Sequence, residues 1–453
     1  MPPAMSQNVP KKSLLRRLTK AAALFLLVIV ALLLVAFLVV FRAAIYHRLV
    51  TFPAEKSAWE TIRAQREQVV LDDGWMEIRG ACHSHSELSH DSEIPFAEIL
   101  AALKQAELEF ICMSDHTIDG KADYSLGWRG DHEGVIFIRG FEMAHGFMPW
   151  GLPDDTILDN AMEPHALARL IAEKNGLLFF AHPEEERLWD LPELTGMEIY
   201  NLHADFKDEK LADLLPDLIL NLSAYPDQTL RLIFDRQTEI LKHWDALNQQ
   251  RKIVGIAAND AHQNTGIRGY VTEQDTFQLR ERGSADVIKE WNLNPFSKLL
   301  LQTLFGNWQG TRELFSITLD PYVQSLRYVN THLLVAEKSE AAILDALKSG
   351  RCFVAFDMIA DARGFTFMAE NGQQKTVMGE QISFSPDLTF LAESPLPCHF
   401  ALVRNGEREA EQTGRMFVWK AQSSGVYRLE AELQVRNEWI PWVYTNPIFV
   451  KDN

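Results

Sequence analysis

Residues Ala21 to Phe41 form an unbroken run of 21 apolar side chains, and no other feature restricts the chain so sharply. A run with no polar side chain to partner the backbone is driven into helix, and at about 1.5 Å per residue it matches a hydrocarbon core of about 30 Å. A cleaved secretory signal has a shorter apolar stretch of about 7–15 residues and a small-x-small cleavage site. Phe41-Arg42-Ala43-Ala44 fits that poorly, so the run is read as a membrane anchor. Lys11, Lys12, Arg16, Arg17 and Lys20 precede it, whereas only Arg42 and Arg48 follow closely. The positive-inside bias then puts the amino terminus in the cytoplasm and everything beyond Arg42 outside, in the periplasm of a Gram-negative cell.

Beyond the anchor the chain is acidic. The net charge is -18, yet the first 48 residues carry seven Lys/Arg and no acid, which leaves 37 basic against 62 acidic residues and a charge of -25 for the rest. Phosphate backbones and anionic lipid surfaces are excluded as partners of that part on electrostatic grounds. A composition of 47% hydrophobic and 23% charged residues is that of a folded protein. Four cysteines, Cys82, Cys112, Cys352 and Cys398, are too few for a disulfide scaffold, and buried thiols are as good a reading as bridges.

From Met76 onward, short apolar runs alternate with amphipathic helical stretches, the pattern of parallel β/α construction. Ile94 to Ala106 has apolar residues at helical spacing with Ser92 as a cap, and Phe110 to Met113 reads as the next strand. Val135–Ile138, Leu177–Phe180, Met197–Tyr200 and Ile253–Ile256 are further strand candidates, and Ala204 to Gln250 reads as connecting helices. Tyr427 to Val435 alternates apolar and polar residues at the period of a half-buried antiparallel strand, and Asn405-Gly406 is a hairpin signal. Ser339 to Lys348 reads as a helix stopped by Gly350. The expected division is a basic cytoplasmic tail (1–20), a transmembrane helix (21–41), a juxtamembrane linker or helix (42–73), a metallohydrolase domain (74–356) and a β-sandwich (357–453).

Chemistry-bearing residues follow these apolar runs. Cys82-His83-Ser84-His85 comes first; on a strand, alternate side chains share a face about 7 Å apart and can grip one borderline metal ion through imidazole nitrogens. Asp91 follows shortly. Asp115-His116 closes the next run, Glu142 follows Ile138-Arg139-Gly140-Phe141, His182 follows Leu177–Phe180, and Asp260-Ala261-His262 follows Gly255–Asn259. Each alone has a bland reading as a cap or a solvated loop, but ligands in parallel β/α folds sit at the carboxyl ends of strands. Five such coincidences point to a metal centre. Asp115 is read as a supporting residue, Glu198, Asn201 and His203 as pocket or loop residues, and His90 as surface. Arg129 and Lys121 are candidates to pair with a phosphate or are ordinary surface charges.

This series resembles the PHP family, named from polymerase and histidinol phosphatase, over roughly residues 76 to 265. The resemblance implies a distorted (β/α)7 barrel holding two or three divalent metal ions (Zn, Mn or Fe). It implies His83, His85, Glu142 and Asp260 around a first metal, with Glu142 bridging to a second metal bound by His182 and by His145, and a third held by Asp91, His116 and His262. Catalytic work falls to Glu142, Asp260 and His182. The sequence departs from the family pattern at Asp91, where some members have His, and around His145, whose spacing varies. Gly350 to Asp357 and Asn446 to Val450 resemble the carbaryl-hydrolase-like branch.

Paired ions lower the pKa of a shared water toward neutrality and neutralise developing oxyanion charge. The expected activity is therefore phosphoester hydrolysis on a small or envelope-derived ester, with a carbamate or amide as the alternative substrate. A non-catalytic, metal-stabilised binding or scaffold protein is the reading from another class.

Overall fold

The computed structural model describes residues 11–69, 74–208, 210–283, 286–372 and 374–452. Its first helix, Lys11–Val40, contains a segment, Arg16–Val40, that is long and apolar enough to cross a membrane and is nowhere buried by the rest of the chain. Only Phe41 separates it from a continuous helical stretch, Arg42–Tyr46, His47–Thr51 and Phe52–Arg63. That stretch is packed into the body. Phe52 and Trp59 are fully buried, His47 Nδ1 lies 2.9 Å from Asp217 Oδ2, and Asn221 Nδ2 donates to the Ala44 carbonyl at 2.9 Å.

Two groups of parallel strands carry the residues singled out as candidate ligands. Met76–Cys82, Phe110–Cys112 and Val135–Ile138 pair in parallel, and so do Leu177–Phe180, Leu194–Asn201 and Val254–Ala258. Their residues are buried almost throughout, as strands covered on both faces must be. The groups meet at their carboxyl ends, where Asn259 N donates to Cys82 O at 3.0 Å, His85 N donates to Ala261 O at 3.0 Å, and Ser84 bridges Ala261 in parallel. This junction decides which loops converge.

The helix after the first strand runs Phe96–Gln105 with Pro95 at its start. Ser92 is not its cap. Pro95 holds the preceding backbone extended, and the Ser92 hydroxyl instead donates to the His262 carbonyl at 3.0 Å. Glu340–Ser349 follows expectation, with the Ser339 side chain accepting from Ala342 N and Gly350 in the left-handed conformation.

Residues beyond His262 hold an element that the periodicity did not reveal. An antiparallel sheet, ordered Val287–Asn292, Thr276–Glu281, Gly266–Val271 and Arg312–Thr318, carries the helix Pro295–Phe305. Asp320 closes its base by accepting from Asn264 N at 3.0 Å and Thr265 N at 3.1 Å.

The C-terminal strands are joined to these parallel strands by one sheet. Met76–Cys82 pairs antiparallel with Asn330–Val335, which leads through Cys352–Ala355 to Glu438–Thr445, Gly425–Val435 and Thr389–Arg404. Asn405-Gly406 makes the expected turn, both residues at positive φ. Two polar ties reinforce the junction: the Arg428 guanidinium bonds both Asp245 oxygens at 2.6 and 2.7 Å, and the Asn446 amide bonds Gly255 N and O, each at 2.8 Å. All four cysteines are buried and free.

Candidate metal centre

The regular strands stop just short of the chemistry. Met76–Cys82 and Leu177–Phe180 end before His83 and His182, and Val254–Ala258 ends before Asp260. All three of those residues have left-handed backbone, with φ of 58°, 49° and 48°. Non-glycine residues rarely adopt that region, and such strain concentrates at functional sites. The left-handed turn also corrects the expected extended geometry of His83 and His85. Because the chain bends at His83, the two rings approach to 5.1 Å between centroids. Glu142 enters from the short strand Phe141–Glu142, paired with Asp115–His116. Gly140 precedes it at a point where a Cβ would lie 2.6 Å from the Met113 carbonyl oxygen.

The side chains then converge. His83 Nε2 lies 3.4 Å from Glu142 Oε2 and 3.3 Å from Asp260 Oδ1; His85 Nε2 lies 3.7 and 3.3 Å from the same two atoms. His182 Nε2 is 3.4 Å from Glu142 Oε1 and 3.5 Å from Asp260 Oδ2. On the other side, Asp91 Oδ2 is 3.6 Å from His116 Nε2 and 3.4 Å from His262 Nε2, and His116 Nδ1 is 3.4 Å from Glu142 Oε2. Hydrogen bonds between such groups would be about 2.9 Å, whereas two atoms each about 2.1 Å from one ion at a tetrahedral angle stand about 3.4 Å apart.

The donor set fits divalent ions on a second count. His83 Nε2, His85 Nε2, His262 Nε2, Asp260 Oδ1 and Asp91 Oδ1 are buried with no hydrogen-bond partner. Unpaired buried polar atoms are costly unless something else binds them. Among the described residues, four overlapping groups meet the spacing of a metal site: His83-His85-Glu142, His83-His182-Asp260, His85-His116-His262 and His90-Asp91-His116.

Electrostatics within the cluster point the same way. Burial pushes the Glu142 and Asp260 carboxyls up, but the facing imidazoles, His83 foremost, outweigh it and hold both well below the usual carboxylate range. Burial drops His85 well below an ordinary histidine, and the neighbouring His262 adds to the effect. For His182, burial is outweighed by Glu142 and Glu184, which raise it to about 10. The carboxylates are thus anionic and draw in positive charge.

A supporting layer aims these ligands. Glu198, fully buried, engages His83 Nδ1 with one oxygen, and with the other accepts from His182 N and Asn201 Nδ2, each at 2.9 Å. Asp115 accepts from the Ser89 hydroxyl at 3.0 Å, and that hydroxyl lies 3.0 Å from His85 Nδ1. Both contacts occupy Nδ1 and leave Nε2 for the centre, the usual role of an outer carboxylate.

Eight of the nine expected ligands therefore stand together. His145 stands apart. It is exposed, with a left-handed backbone (φ 66°), and belongs to none of the four groups. His90 is exposed as expected but lies within the Asp91-His116 group, its ring 4.9 Å from that of His116. His203, expected in a loop, sits on the helix Leu202–Asp208 with its ring 5.7 Å from His262, and burial drops it to about 4. Apolar Leu202, Phe206, Leu230, Ile233 and Leu319 line a cavity with His203, Asp260 and His262. Arg129 is held away from the cluster by Glu340 at 2.8 Å and Asp154 at 2.5 Å.

No family model and no curated protein matches the chain. Among solved structures it is similar to a two-domain protein from Bacteroides vulgatus ATCC 8482, described as containing a predicted PHP-like metal-dependent phosphoesterase. The identity is 13%, over 84% of this chain and 98% of that one, with a TM-score of 0.36. A second similarity, to Bacteroides uniformis beta-glucuronidase 2, has 10% identity over 83% of this chain and 46% of that one, with a TM-score of 0.16. Overall likenesses this loose carry no functional argument. The resemblance to PHP hydrolases stands on the clustered histidines and carboxylates, which could hold metal ions.

Proposed function

We propose that this protein is a PHP-type, metal-dependent phosphoesterase, anchored by residues 21–41 with residues 74–356 and the β-rich 357–453 outside the cytoplasmic membrane. The observation that carries the reading is the set of unpartnered atoms, His83 Nε2, His85 Nε2, His262 Nε2 and Asp260 Oδ1, gathered with Glu142 in one cleft. His83, His85, Glu142 and Asp260 would hold one ion, Glu142 and His182 a second, and Asp91, His116 and His262 a third. Ions so held lower the pKa of a coordinated water toward neutrality and offset the charge of a phosphoryl oxygen.

The chain's own groups do the rest. Glu142 and Asp260 stay ionised because the imidazoles facing them outweigh burial, so both keep their lone pairs for the centre. His203, uncharged near neutrality, offers a ring nitrogen at the rim, and the apolar wall formed by Leu202, Phe206 and Leu319 favours an ester with a nonpolar group beside its phosphate.

Turnover of p-nitrophenyl phosphate, its bis ester and an aryl carbamate by the Mn- or Zn-loaded chain tests this reading. Phosphate release is expected; carbamate cleavage without it would move the assignment to a carbamate hydrolase. Fewer than one metal ion per chain after mild purification would favour a non-catalytic scaffold.

A further inference from the structure

The helix Pro295–Phe305 shows water a broad apolar face. Phe296, Leu299, Leu300 and Leu304 are 75%, 63%, 49% and 65% exposed, and the half-buried side carries Leu301 and Phe305 together with Ser297, Lys298 and Gln302, Lys298 Nζ lying 2.7 Å from Asp275. A helix packed on an aqueous domain keeps its outward face polar. None of its residues is fully buried, and an isolated helix of this length is marginal in water even with good caps. The helix is nonetheless built to form: Pro295 opens it, and Asn294 and Ser297 make a reciprocal capping box. On the strand before it, Val287–Asn292, the apolar Val287, Ile288 and Trp291 are exposed as well. A surface of this kind marks a partner or a membrane.

The anchor decides which. Only Phe41 intervenes between the apolar helix and Arg42–Tyr46, and the segment after it is fastened to the helix Leu211–Asn221 through His47–Asp217, Asn221–Ala44 and a 2.6 Å hydrogen bond from Arg48 to the Leu220 carbonyl. No flexible tether lets the body leave the bilayer. Tyr46, Leu49 and Val50, and on the fastened helix Leu215 and Ile219, expose further apolar side chains at this junction. Leu211–Asn221 packs on Pro226–Leu230, whose Leu230 lines one cavity with Asp260, His262 and, at the base of the antiparallel sheet that carries Pro295–Phe305, Thr265 and Leu319.

We propose that the exposed apolar face of Pro295–Phe305, with Trp291 beside it, inserts into the interfacial layer of the bilayer that the anchor spans. This rests on the reading of residues 21–41 as a transmembrane helix, but not on the chemistry of the metal centre. Aromatic and Leu-rich faces bury themselves about 5–10 Å into the headgroup boundary in this way, and the chain's acidity makes the contact apolar rather than electrostatic.

Spin labels test it on the full chain in zwitterionic-lipid nanodiscs, the four buried cysteines being inaccessible to the reagent. Labels are placed singly at Leu300→Cys and Leu304→Cys, at Leu32→Cys in the anchor, and at Glu407→Cys on the hairpin of the β-rich region. The expected result is that collision with a water-soluble nickel chelate falls about tenfold at 300 and 304 relative to 407, while collision with oxygen rises. Nickel access at 300 and 304 equal to that at 407, with Leu32 in lipid, overturns the proposal and leaves the anchor intact. Water access at Leu32 overturns both. Dipolar broadening between labels at 300 would show a second copy covering the helix and also overturns it. Phosphate turnover on a soluble ester, measured separately, reports the metal-centre reading alone.

Discussion

The Glu198 carboxylate is bound to Nδ1 of His83, which leaves the opposite nitrogen of that ring facing Glu142 and Asp260. Glu198 touches no reacting atom in this arrangement; it fixes a tautomer and a ring plane. Glu198→Ala should therefore lower metal affinity or turnover by about 10–100-fold, with Glu198→Gln recovering part of the loss because an amide oxygen still accepts from the Nδ1 proton. Metal content by elemental analysis, alongside kcat and KM, checks this.

Metal removal should destabilise the fold. Chelation leaves buried ligand atoms without partners, so reloading with Mn or Zn at about 1,000 times its Kd is expected to add about 4 kcal/mol, read as a rise in melting temperature. Asp260→Ala should abolish that rise, since Asp260 faces His83, His85 and His182 at once. An unchanged metal-dependent rise in the variant would refute the assignment of Asp260.

His145 and His182 make a contrasting pair. His182→Ala removes a nitrogen within 3.5 Å of both the Glu142 and the Asp260 carboxylate and should cost at least about 100-fold in turnover. His145→Ala, exposed and outside the cluster, should stay within about twofold. Parallel kinetics of the two variants decide between the family expectation and the observed geometry.

A pH dependence of stability arises far from the metals. His332 is buried between Glu77 Oε1 at 2.7 Å and Asp357 Oδ2 at 2.8 Å. Burial lowers its pKa, but Asp357 and Glu77 outweigh that and raise it to about 9 from 6.5. A raised folded-state value means the contribution is fully present below pH 6.5 and lost as pH climbs toward 9. It amounts to on the order of 3 kcal/mol. Urea midpoints at pH 6 and pH 9.5 should differ for the native chain and converge in His332→Phe.

Arg428 binds Asp245 and Glu430 while itself buried. Truncation to Ala strands the buried Asp245 carboxylate, whereas Glu430 keeps Arg236 at 2.6 Å, and should cost about 3–5 kcal/mol, measured by urea denaturation. Loss of cooperativity along with stability is expected, since the pair links the Thr238–Gln250 helix to the strand Gly425–Val435.

Where the local pattern was strong, the chain was readable before folding. Apolar runs of the correct length marked Val135–Ile138 and Leu177–Phe180, and Ser339 and Gly350 bracketed a helix through capping chemistry that acts within a few residues. Ligands immediately after such runs could be named because parallel strands deliver their carboxyl ends to one side. The antiparallel sheet beyond His262 escaped notice. Its strands have mixed exposure and its helix carries apolar residues on both its exposed and its half-buried side, so neither leaves the one-sided periodicity that betrays a core element.

By itself, then, the sequence determined an apolar helix near the amino terminus, the strand–helix alternation after Met76 and which histidines and carboxylates follow the apolar runs, since each depends on side chains close together along the chain. Tertiary structure alone decided that Glu198 reaches His83, that His145 turns away, and that Asp115 acts on His85 through Ser89. Those outcomes depend on left-handed turns at strand ends and on contacts between residues up to 115 positions apart, as for His83 and Glu198, which no local pattern encodes.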